Sequence, residues 1–344
     1  MNFWKNNKVL VTGGASFISS HLVERLVDAG CKVTVADDLS SGKLENLTSV
    51  INKIKFMKGD LRERTFAEEA CKGNEVVFHL AASHGGRGYI DTHPVECATN
   101  MILDGMVFAS AHKTGVSRVC FASSACVYPV NLQDKPKTGN LVYLQEDWAN
   151  PFEPGKAAAD GEYGWAKLMG ELALNAYHKQ HGLKCVSCRI FTAYGERENE
   201  THAVIALIAK AFIKMDPYVI WGTGEQDRNF TYVGDIADGL IKAAEKIEDG
   251  SPVNLGCAEH VTIKQLAEKI FQKTGFRPTK LEFDTTKPVG VFSRAASLDR
   301  TRKLLGWEPQ ISVDEGLDRT IKWYYAIKKI DEVKKTLEKS LTER

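Results

Sequence analysis

The chain has 344 residues, of which 43% are hydrophobic and 26% are charged, enough for one large or two modest domains with a proper core. Its formal net charge of +1 argues against the broad basic surface that binds nucleic acid. No apolar run reaches the ~18 residues of a membrane span, and the N-terminus leads into a predicted strand without a secretory signal. The 8 cysteines lie mostly inside apolar runs, as reduced, buried thiols do. We therefore expect a cytoplasmic protein with no nucleic-acid partner and no membrane partner.

The first part of the chain alternates apolar, β-branched runs with helical patterns. The predicted strands cover residues 8–13, 32–37, 54–60, 75–82, 118–125 and 184–191, and the predicted helices cover 17–29, 94–112 and 158–181. Because these strands are too continuously apolar to alternate, they are typical of strands buried on both faces of a parallel sheet. We predict an α/β fold with a Rossmann-type, doubly wound parallel sheet.

The pattern changes after residue 195. Helices are predicted over 201–214 and 262–274, with a short strand-like run, YVIWG (218–222), between them. We predict a first domain over 1–195, a smaller α/β lobe over 196–330 from which some chain returns to the first domain, and a helical tail over 331–344. The tail is rich in charge, so we expect a charged helix with a solvated face rather than a binding element.

The segment VTGGASFISSHLVERL (11–26) follows the first strand and opens the first helix, which is the position of a dinucleotide-binding turn. A full fingerprint has glycine at the positions of Gly13, Ser16 and Ser19, and only Gly13 complies. The helix N-terminus still offers N–H groups and a positive dipole end to an anion. Ser16 either crowds the pyrophosphate or donates a hydrogen bond to it, and Ser19 is small enough for helix–strand packing. The alternative is a degenerate turn that no longer binds a nucleotide.

Three companion segments support a nucleotide site. Asp37 ends the second strand, where a carboxylate binds the ribose 2′-hydroxyl, and no arginine follows it to accept a 2′-phosphate. GDL (59–61) and HLAA (79–82) end the next two strands. We therefore predict NAD rather than NADP as the cofactor. Its predicted binding residues are Gly13, Ala15, Ser16, Phe17, Ile18, Asp37, Asp60, Leu61, Leu80, Ala81 and Ala82.

Tyr163 and Lys167 stand four residues apart in a predicted helix and therefore share one face. A nearby ammonium lowers the pKa of a phenol, and a phenolate can take the proton of a hydroxyl group during hydride transfer. The segment FASSACVYP (121–129) ends the fifth strand, from which Ser123 and Ser124 can reach the same cleft. The alternative is an exposed helix face without a catalytic role.

A series of segments now occurs in an order that resembles the extended short-chain dehydrogenase/reductase family of nucleotide-sugar epimerases and dehydratases. They span about residues 7–325 and read TGGASFISSHL, VADDLSSGKLENL, GDL, FHLAA, SSACVYP, YGWAK, GTGEQDRNFTYVGDIADGL and LLGWEP. The resemblance implies a nucleotide-diphosphate sugar as substrate, which a bound NAD oxidises before the hydride returns. It also implies that Ser124, Tyr163 and Lys167 are catalytic, that Lys167 holds the nicotinamide ribose and that Asn100 lies beside the cofactor. Relatives form homodimers through the helices that match 94–112 and 158–181, and the first of these is more apolar than one sheet face requires.

Within this family, AASHGGRGYI (81–90) together with SSACVYP is most similar to the GDP-mannose 3,5-epimerases. The similarity implies that Gly85, Gly86 and Arg87 line the sugar. It implies that the thiol of Cys126 removes protons from carbons next to a transient 4-keto group, for which a thiolate is a competent base. Dehydratases carry an acidic pair where this chain has Ala125 and Cys126. The alternative for Cys126 is a small buried hydrophobe.

Several positions depart from that pattern or leave two interpretations open. His202 stands where the 3,5-epimerases have a lysine acid; a histidine can donate a proton near neutral pH, but it can also be an ordinary residue at a helix start. Thr192 replaces an asparagine that contacts the sugar nucleotide. Arg228 and Arg294 match arginines that clamp the diphosphate, a task suited to a bidentate guanidinium, although either could be a surface ion pair. Cys185 and Cys188 lie on a predicted strand and point to opposite faces, so no metal site is expected.

Three functional hypotheses follow. The first is an NAD-dependent epimerase that acts through a 4-keto sugar and uses Cys126 as a base. The second is a 4-epimerase of the UDP-glucose type, in which Cys126 is inert and the ketone only rotates. The third is a non-catalytic nucleotide-sensing protein, suggested by Ser16 and Ser19, against which the intact Ser124, Tyr163 and Lys167 set argues.

Overall fold

Strands and helices alternate through the first domain as predicted. The structure, a computed structural model, describes residues 3–133 and 142–343. The strands are β1 (Lys8–Thr12), β2 (Lys32–Asp37), β3 (Lys55–Lys58), β4 (Val76–His79), β5 (Arg118–Ser124), β6 (Tyr143–Leu144), β7 (Lys184–Ile190), β8 (Ala193–Tyr194), β9 (Tyr218–Trp221), β10 (Asp227–Arg228), β11 (Thr231–Tyr232), β12 (Asp249–Leu255), β13 (Val261–Thr262), β14 (Leu281–Asp284) and β15 (Ser293–Ala296). The helices are α1 (Phe17–Asp28), α2 (Arg64–Cys71), α3 (Arg87–Thr92), α4 (Pro94–Ala98), α5 (Asn100–Lys113), α6 (Gly161–His181), α7 (Ala203–Phe212), α8 (Val233–Lys246), α9 (Ile263–Thr274), α10 (Asp299–Leu305), α11 (Val313–Ile327) and α12 (Ile330–Ser340).

The central sheet has seven parallel strands in the order β12-β7-β5-β4-β1-β2-β3. Alternate side chains of each strand enter different cores: Val9 and Val11 pack with α1 and α8, whereas Leu10 packs with α2, α5 and α6. The predicted doubly wound α/β fold is therefore confirmed. The strand order reverses between β1 and β4, and ligands bind at the carboxyl edge of such a switch point.

The smaller lobe has its own core, formed by α7, α9, α11 and α12 around β9 and its neighbours. Its four-stranded sheet has the order β13-β10-β15-β6, so β6, from the first part of the chain, pairs with β15. The chain returns to the central sheet with β12, which pairs with β7, while α8 packs against α1. Each lobe therefore holds a segment from the other part of the chain.

Two predicted helices have features in the structure that the sequence did not indicate: one is divided, and the other has a buried apolar face. The predicted helix 94–112 is divided into α4 and α5 at Thr99, because the side-chain amide of Asn100 donates to the Cys97 carbonyl (2.9 Å) and takes the place of a helical N–H. The tail is helical, and its charged residues form an exposed face while two apolar residues pack inward. Val333 and Leu337 on α12 are buried in the core of the lobe, and Leu341 reaches the central cavity.

A buried ion pair joins the central sheet to α6. Arg189 on β7 donates to Glu171 on α6 through Nη2 (2.7 Å) and Nε (2.9 Å), and both side chains are almost fully buried. Arg189 also donates to the Glu146 carbonyl (2.6 Å), and the Ser123 hydroxyl donates to Glu171. Ser123 is therefore engaged in this pair rather than aimed only at the cleft. Removing one partner would leave the other charge buried and unpaired.

We expect Glu171→Ala to lower the free energy of unfolding by about 3–5 kcal/mol, because it strands the Arg189 guanidinium. The matched control is Glu68→Ala, which breaks the surface pair between Glu68 and Lys113 (2.8 Å) and should cost less than about 1 kcal/mol. Urea unfolding followed by circular dichroism measures both. Equal losses for the two variants would contradict a structural role for the buried pair.

Candidate active site

One large cavity lies between the carboxyl edge of the central sheet and the smaller lobe. Its volume is about 840 Å³, and residues of both parts of the chain line it. It occupies the switch point between β1 and β4, where α/β sheets bind their ligands. Nearly every residue predicted from the sequence lines this cavity. The exception is Ala15, which is buried and contributes through its backbone: its N–H donates to Asp37, and its carbonyl accepts from Lys43 and Asn46.

The nucleotide-binding turn keeps its geometry despite its serines. Gly13 has a φ of +65°, and a Cβ there would lie 2.8 Å from the Cα of Ala81, so a side chain does not fit. The buried Ser19 hydroxyl donates to the Gly13 carbonyl and stabilises the turn from the position of the missing glycine. Ser16 lines the cavity at the N-cap of α1, where its side chain makes no capping hydrogen bond. The N-terminus of α1 is therefore available to an anion.

Asp37 ends β2 at the wall of the cavity. Its carboxylate accepts hydrogen bonds from the backbone N–H groups of Ala15 (2.9 Å) and Leu39 (2.8 Å), while burial raises its pKa. Arg62 lies nearby in the lining but is already paired with Asp60 (2.6 Å). The Asp37 carboxylate is fixed, and the charge of the nearby Arg62 is already paired with Asp60. This arrangement fits a ribose hydroxyl better than a phosphate. These residues fit NAD.

The phenol, the ammonium and the serine lie together in the cavity. Ser124 ends β5 and hydrogen-bonds Tyr163, while Tyr163 and Lys167 lie one turn apart on α6. The Lys167 Nζ lies 3.9 Å from Asp104 Oδ1 and 4.6 Å from the centre of the Phe121 ring, and burial lowers its pKa. The expectation that the ammonium lowers the Tyr163 pKa is not met: burial, then the neighbouring Cys126 and Asp104, raise it well above its ordinary value.

Cys126 lies in the short 3₁₀ turn after Ser124, with its backbone N–H donating to Ser124 Oγ (3.1 Å). Arg294 of β15 donates to the Cys126 Sγ through Nη1 at 3.2 Å. The sequence suggested that Arg294 clamps a diphosphate, and the structure places its guanidinium beside the candidate base instead. A cationic donor at this distance is a partner suited to a thiolate. Arg228, the other candidate clamp, donates to backbone carbonyls that include Val291 (2.6 Å).

Asp160 joins these parts of the site. Its carboxylate accepts from Arg87 Nη1 (2.9 Å) and from Arg294 Nη2 (2.9 Å), and its backbone N–H donates to the Cys126 carbonyl (2.8 Å). Burial opposes its ionisation, but the charges of Arg294 and Arg87 hold its pKa below the usual range. It also occupies the N-cap position of α6, just before Tyr163. Asp160 was not predicted from the sequence, since a lone aspartate belongs to no motif.

The glycine-rich loop packs directly on the segment before α7. The Gly86 N–H donates to Thr201 Oγ1 (3.0 Å), and a Cβ on Gly86 would lie 1.7 Å from the Thr201 carbonyl oxygen. This contact requires glycine, because any side chain would displace the backbone opposite. The His84 ring of the same loop stacks on Tyr163 (4.8 Å between centroids) and lies 5.2 Å from the His202 ring. His84 was also missed, although it belongs to the loop segment that the sequence indicated.

His202 is the N-cap residue of α7 and lines the cavity. Burial lowers its pKa to about 4, so its imidazole is neutral near neutral pH. Its Nδ1 lies 3.3 Å from Oε1 of Glu198, a buried carboxyl group that the sequence did not indicate. Thr192 also lines the cavity, and Asn100 fixes the start of the glycine-rich loop by accepting from the Ser83 N–H (2.7 Å).

The comparisons with known proteins agree with this site. Residues 9–256 match the model of the NAD dependent epimerase/dehydratase family. The chain belongs to this family. Its cofactor is NAD, as predicted. No helix among residues 3–133 and 142–343 is long and apolar enough to cross a membrane.

Individual relatives point to two kinds of epimerase. The chain is 31% identical to GDP-mannose 3,5-epimerase of Arabidopsis thaliana over 93% of this chain and 83% of that protein. It is 28% identical to a putative UDP-glucose 4-epimerase of Methanocaldococcus jannaschii over 92% of this chain and 97% of that protein. The solved structure of UDP-glucose 4-epimerase from Thermotoga maritima superimposes with a TM-score of 0.81 at 26% identity, covering 93% of this chain and 99% of that chain. Identities this similar leave the choice between the two to the residues of the site.

We expect the purified protein to bind NAD at least about tenfold more tightly than NADP, a difference of about 1.4 kcal/mol. The reason is repulsion between the Asp37 carboxylate and a 2′-phosphate. A fluorescence titration with both dinucleotides measures the two dissociation constants. Asp37→Ser should reduce the difference between the two dissociation constants. Tighter binding of NADP than of NAD by the wild type would contradict the role of Asp37.

Proposed function

We propose that the protein is an NAD-dependent nucleotide-sugar epimerase that acts through a transient 4-keto sugar, with chemistry like that of GDP-mannose 3,5-epimerase. The observation that carries the proposal is the position of Cys126. Its thiol lies in the same cavity as Ser124 and Tyr163, and Arg294 donates to the sulfur at 3.2 Å. A buried thiol that served only for packing would have no need of a guanidinium partner.

NAD, held by the turn at Gly13 and by Asp37, supplies the hydride acceptor and donor. Tyr163, hydrogen-bonded to Ser124, takes the proton of the sugar hydroxyl and later gives it back. Lys167 on the same face of α6 would hold the nicotinamide ribose, and its Nζ lies 3.9 Å from Asp104 Oδ1. Arg228 and Arg294 line the cavity, but both already donate to protein groups.

A ketone at C4 acidifies the C–H bonds beside it, and Cys126 is placed to remove such a proton. The side chain of Arg294 donates to the sulfur at 3.2 Å and is the cationic donor that this proposal assigns to the base. His202 lines the same cavity and delivers a proton to the opposite face of the sugar. The acidic pair of the dehydratases is replaced by Ala125 and Cys126, so elimination of water lacks its acid and its base.

A 4-epimerase is the second candidate, and one observation favours it. His202 is neutral because of its burial, and a neutral imidazole by itself is a weak proton donor. In a 4-epimerase the 4-keto sugar rotates within the cavity, and the hydride returns to the other face of the sugar. Cys126 then serves only for packing. The two mechanisms differ in solvent exchange, since only carbon deprotonation brings solvent hydrogen into the sugar. The third hypothesis is a nucleotide-sensing protein. Such a protein would have no need of the Tyr163 phenol in the cavity.

We expect Cys126→Ser to lose solvent-deuterium incorporation by about 10²-fold or more, since a serine hydroxyl is a poor base, while it still oxidises and reduces C4. The measurement is ¹H NMR of GDP-, UDP-, dTDP- and CDP-sugars incubated with the enzyme in D₂O. His202→Asn should keep part of the exchange but stall epimerisation, because the base remains and the proton donor is gone.

Two controls accompany this experiment. Tyr163→Phe should reduce all turnover by about 10²–10⁴-fold while NAD stays bound, because the phenol is needed for every sugar oxidation. Cys31→Ser changes a buried cysteine outside the cavity, whose thiol donates to the Trp4 carbonyl (3.1 Å), and should leave activity unchanged. Full activity in Cys126→Ser, with no deuterium uptake by the wild type, would leave the 4-epimerase as the answer.

We also propose a homodimer formed through α5 and α6. These helices pack against each other and, with α4, expose apolar side chains: Val95, Met101, Ile102 and Trp165. Light scattering should therefore give twice the chain mass of 38.1 kDa. Ile102→Glu should shift the protein towards monomer, because it buries a charge in the interface. Leu304→Glu, at a similarly exposed leucine on α10, should not. A monomeric mass for the wild type at high concentration would contradict the proposed dimer.

A further inference from the structure

Glu198 is a buried carboxyl group without an evident structural purpose. Its side chain is 1% exposed, and neither oxygen makes a regular hydrogen bond among the described residues. Burial raises its pKa well above the ordinary value, and the backbone of Gly195 offsets this only in part. A group of this kind is costly, so it calls for an explanation in the chemistry of the site.

The backbone directs Glu198 into the cavity. The preceding residue, Arg197, has a φ of +72°, in the left-handed region that non-glycine residues rarely adopt. Both side chains line the cavity, but they have different partners: Arg197 donates to Glu24 on α1 (2.7 Å), whereas Glu198 lies beside His202. The fold therefore holds a strained residue at the point that turns the carboxyl group inward.

The only ion-pair partner of Glu198 among the described residues is His202, with Nδ1 at 3.3 Å from Oε1. The segment between them is held in place, because Thr201 Oγ1 accepts from the Gly86 N–H and donates to Asn199 Oδ1. On its other side the His202 ring meets His84, which stacks on Tyr163. The nearby Glu200 is engaged elsewhere, with Lys328 (2.6 Å) and Tyr324 (2.8 Å).

We propose that Glu198 stores the proton that His202 delivers to the sugar. In the resting enzyme the carboxylic acid donates its O–H to Nδ1 of a neutral His202, whose Nε2–H faces the substrate cavity. When the carbanion next to the ketone is protonated, the Nε2–H bond breaks and a C–H bond forms. The O–H bond of Glu198 breaks and an Nδ1–H bond forms, so His202 stays neutral and the negative charge moves from the sugar to Glu198. Solvent returns the proton between turnovers.

This arrangement explains how a partly buried histidine can act as the acid. Both groups are neutral at rest, which avoids placing an unpaired charge in a dry site. The total charge of the cavity does not change during the step. The proposal rests on the proposed epimerase function, which supplies the carbanion.

The first test needs no substrate. In the NAD-bound enzyme labelled with ¹⁵N-histidine, long-range ¹H–¹⁵N correlation spectra report which ring nitrogen carries the proton, and His202→Asn identifies the resonances. We expect His202 to carry its proton on Nε2, with Nδ1 accepting, and Glu198→Ala to remove this preference. A proton on Nδ1 in the wild type would show that Glu198 is an ionised group that merely orients the ring, and would overturn the proposal.

The second test separates the donor from the base. Glu198→Gln keeps the shape of the side chain but carries no acidic proton, so epimerisation should fall by about 10²-fold or more while Cys126-dependent deuterium exchange persists. Glu198→Asp should restore part of the loss. Glu196→Gln is the matched control: its carboxylate accepts from the Tyr232 hydroxyl (2.8 Å) outside the cavity, and its activity should be unchanged.

The outcomes test the stored proton and the epimerase function separately. Full epimerisation by Glu198→Gln would overturn the stored proton and leave the epimerase intact. A wild type that shows no deuterium exchange would overturn the 3,5-type function, while the NMR experiment would still decide where the His202 proton lies.

Discussion

The carboxylate of Asp160 is the interaction on which the arrangement of the active site depends. It binds Arg87 from the glycine-rich loop and Arg294 from the smaller lobe, and its backbone holds the turn that carries Cys126. It also stands at the start of α6, so the position of Tyr163 depends on the same residue. One buried anion thus sets the spacing between Cys126, Tyr163 and the smaller lobe. Two arginines are needed to stabilise it there, since a single buried carboxylate would lose its hydration without compensation.

The cavity manages its buried charges in two different ways. Around Asp160 and Arg294 the charges are retained and paired, which provides a cationic donor for the Cys126 sulfur. Around Glu198 and His202 burial opposes both charges, since it raises the pKa of the carboxyl group and lowers the pKa of the imidazole. A base needs a partner for its anionic form, whereas an acid needs a proton to give. The two walls of the cavity therefore have the electrostatics that their proposed roles require.

The close approach of Gly86 to Thr201 connects these two walls. Because no side chain separates the two backbones, the loop that carries His84 and Arg87 lies against the segment that carries His202. His84 then fills the space between the phenol and the imidazole. His84 therefore lines the cavity between these two side chains. The C-terminal tail adds to the same enclosure, since Leu341 reaches the cavity beside the loop.

The sequence by itself determined the doubly wound sheet, the nucleotide turn and the pairing of Tyr163 with Lys167. These features depend on contacts within short stretches: apolar runs identify buried strands, a glycine after a strand identifies the turn, and a spacing of four places two side chains on one helix face. The same local reasoning placed Ser124 and Cys126 at the end of β5, and family resemblance extended it to His202, Arg228 and Arg294.

Only the tertiary structure decided which of these residues meet. Cys126 and Arg294 are 168 positions apart in the chain, and nothing in either segment indicates that one donates to the other. Asp160 and Glu198 have no motif, because a carboxylate gains its importance from the arginines or the burial that surround it. The burial of Val333 and Leu337 in the tail likewise follows from partners distant in sequence. Local patterns specify elements and their faces, but charge pairing and desolvation are properties of the assembled interior, and those properties determine the chemistry of this site.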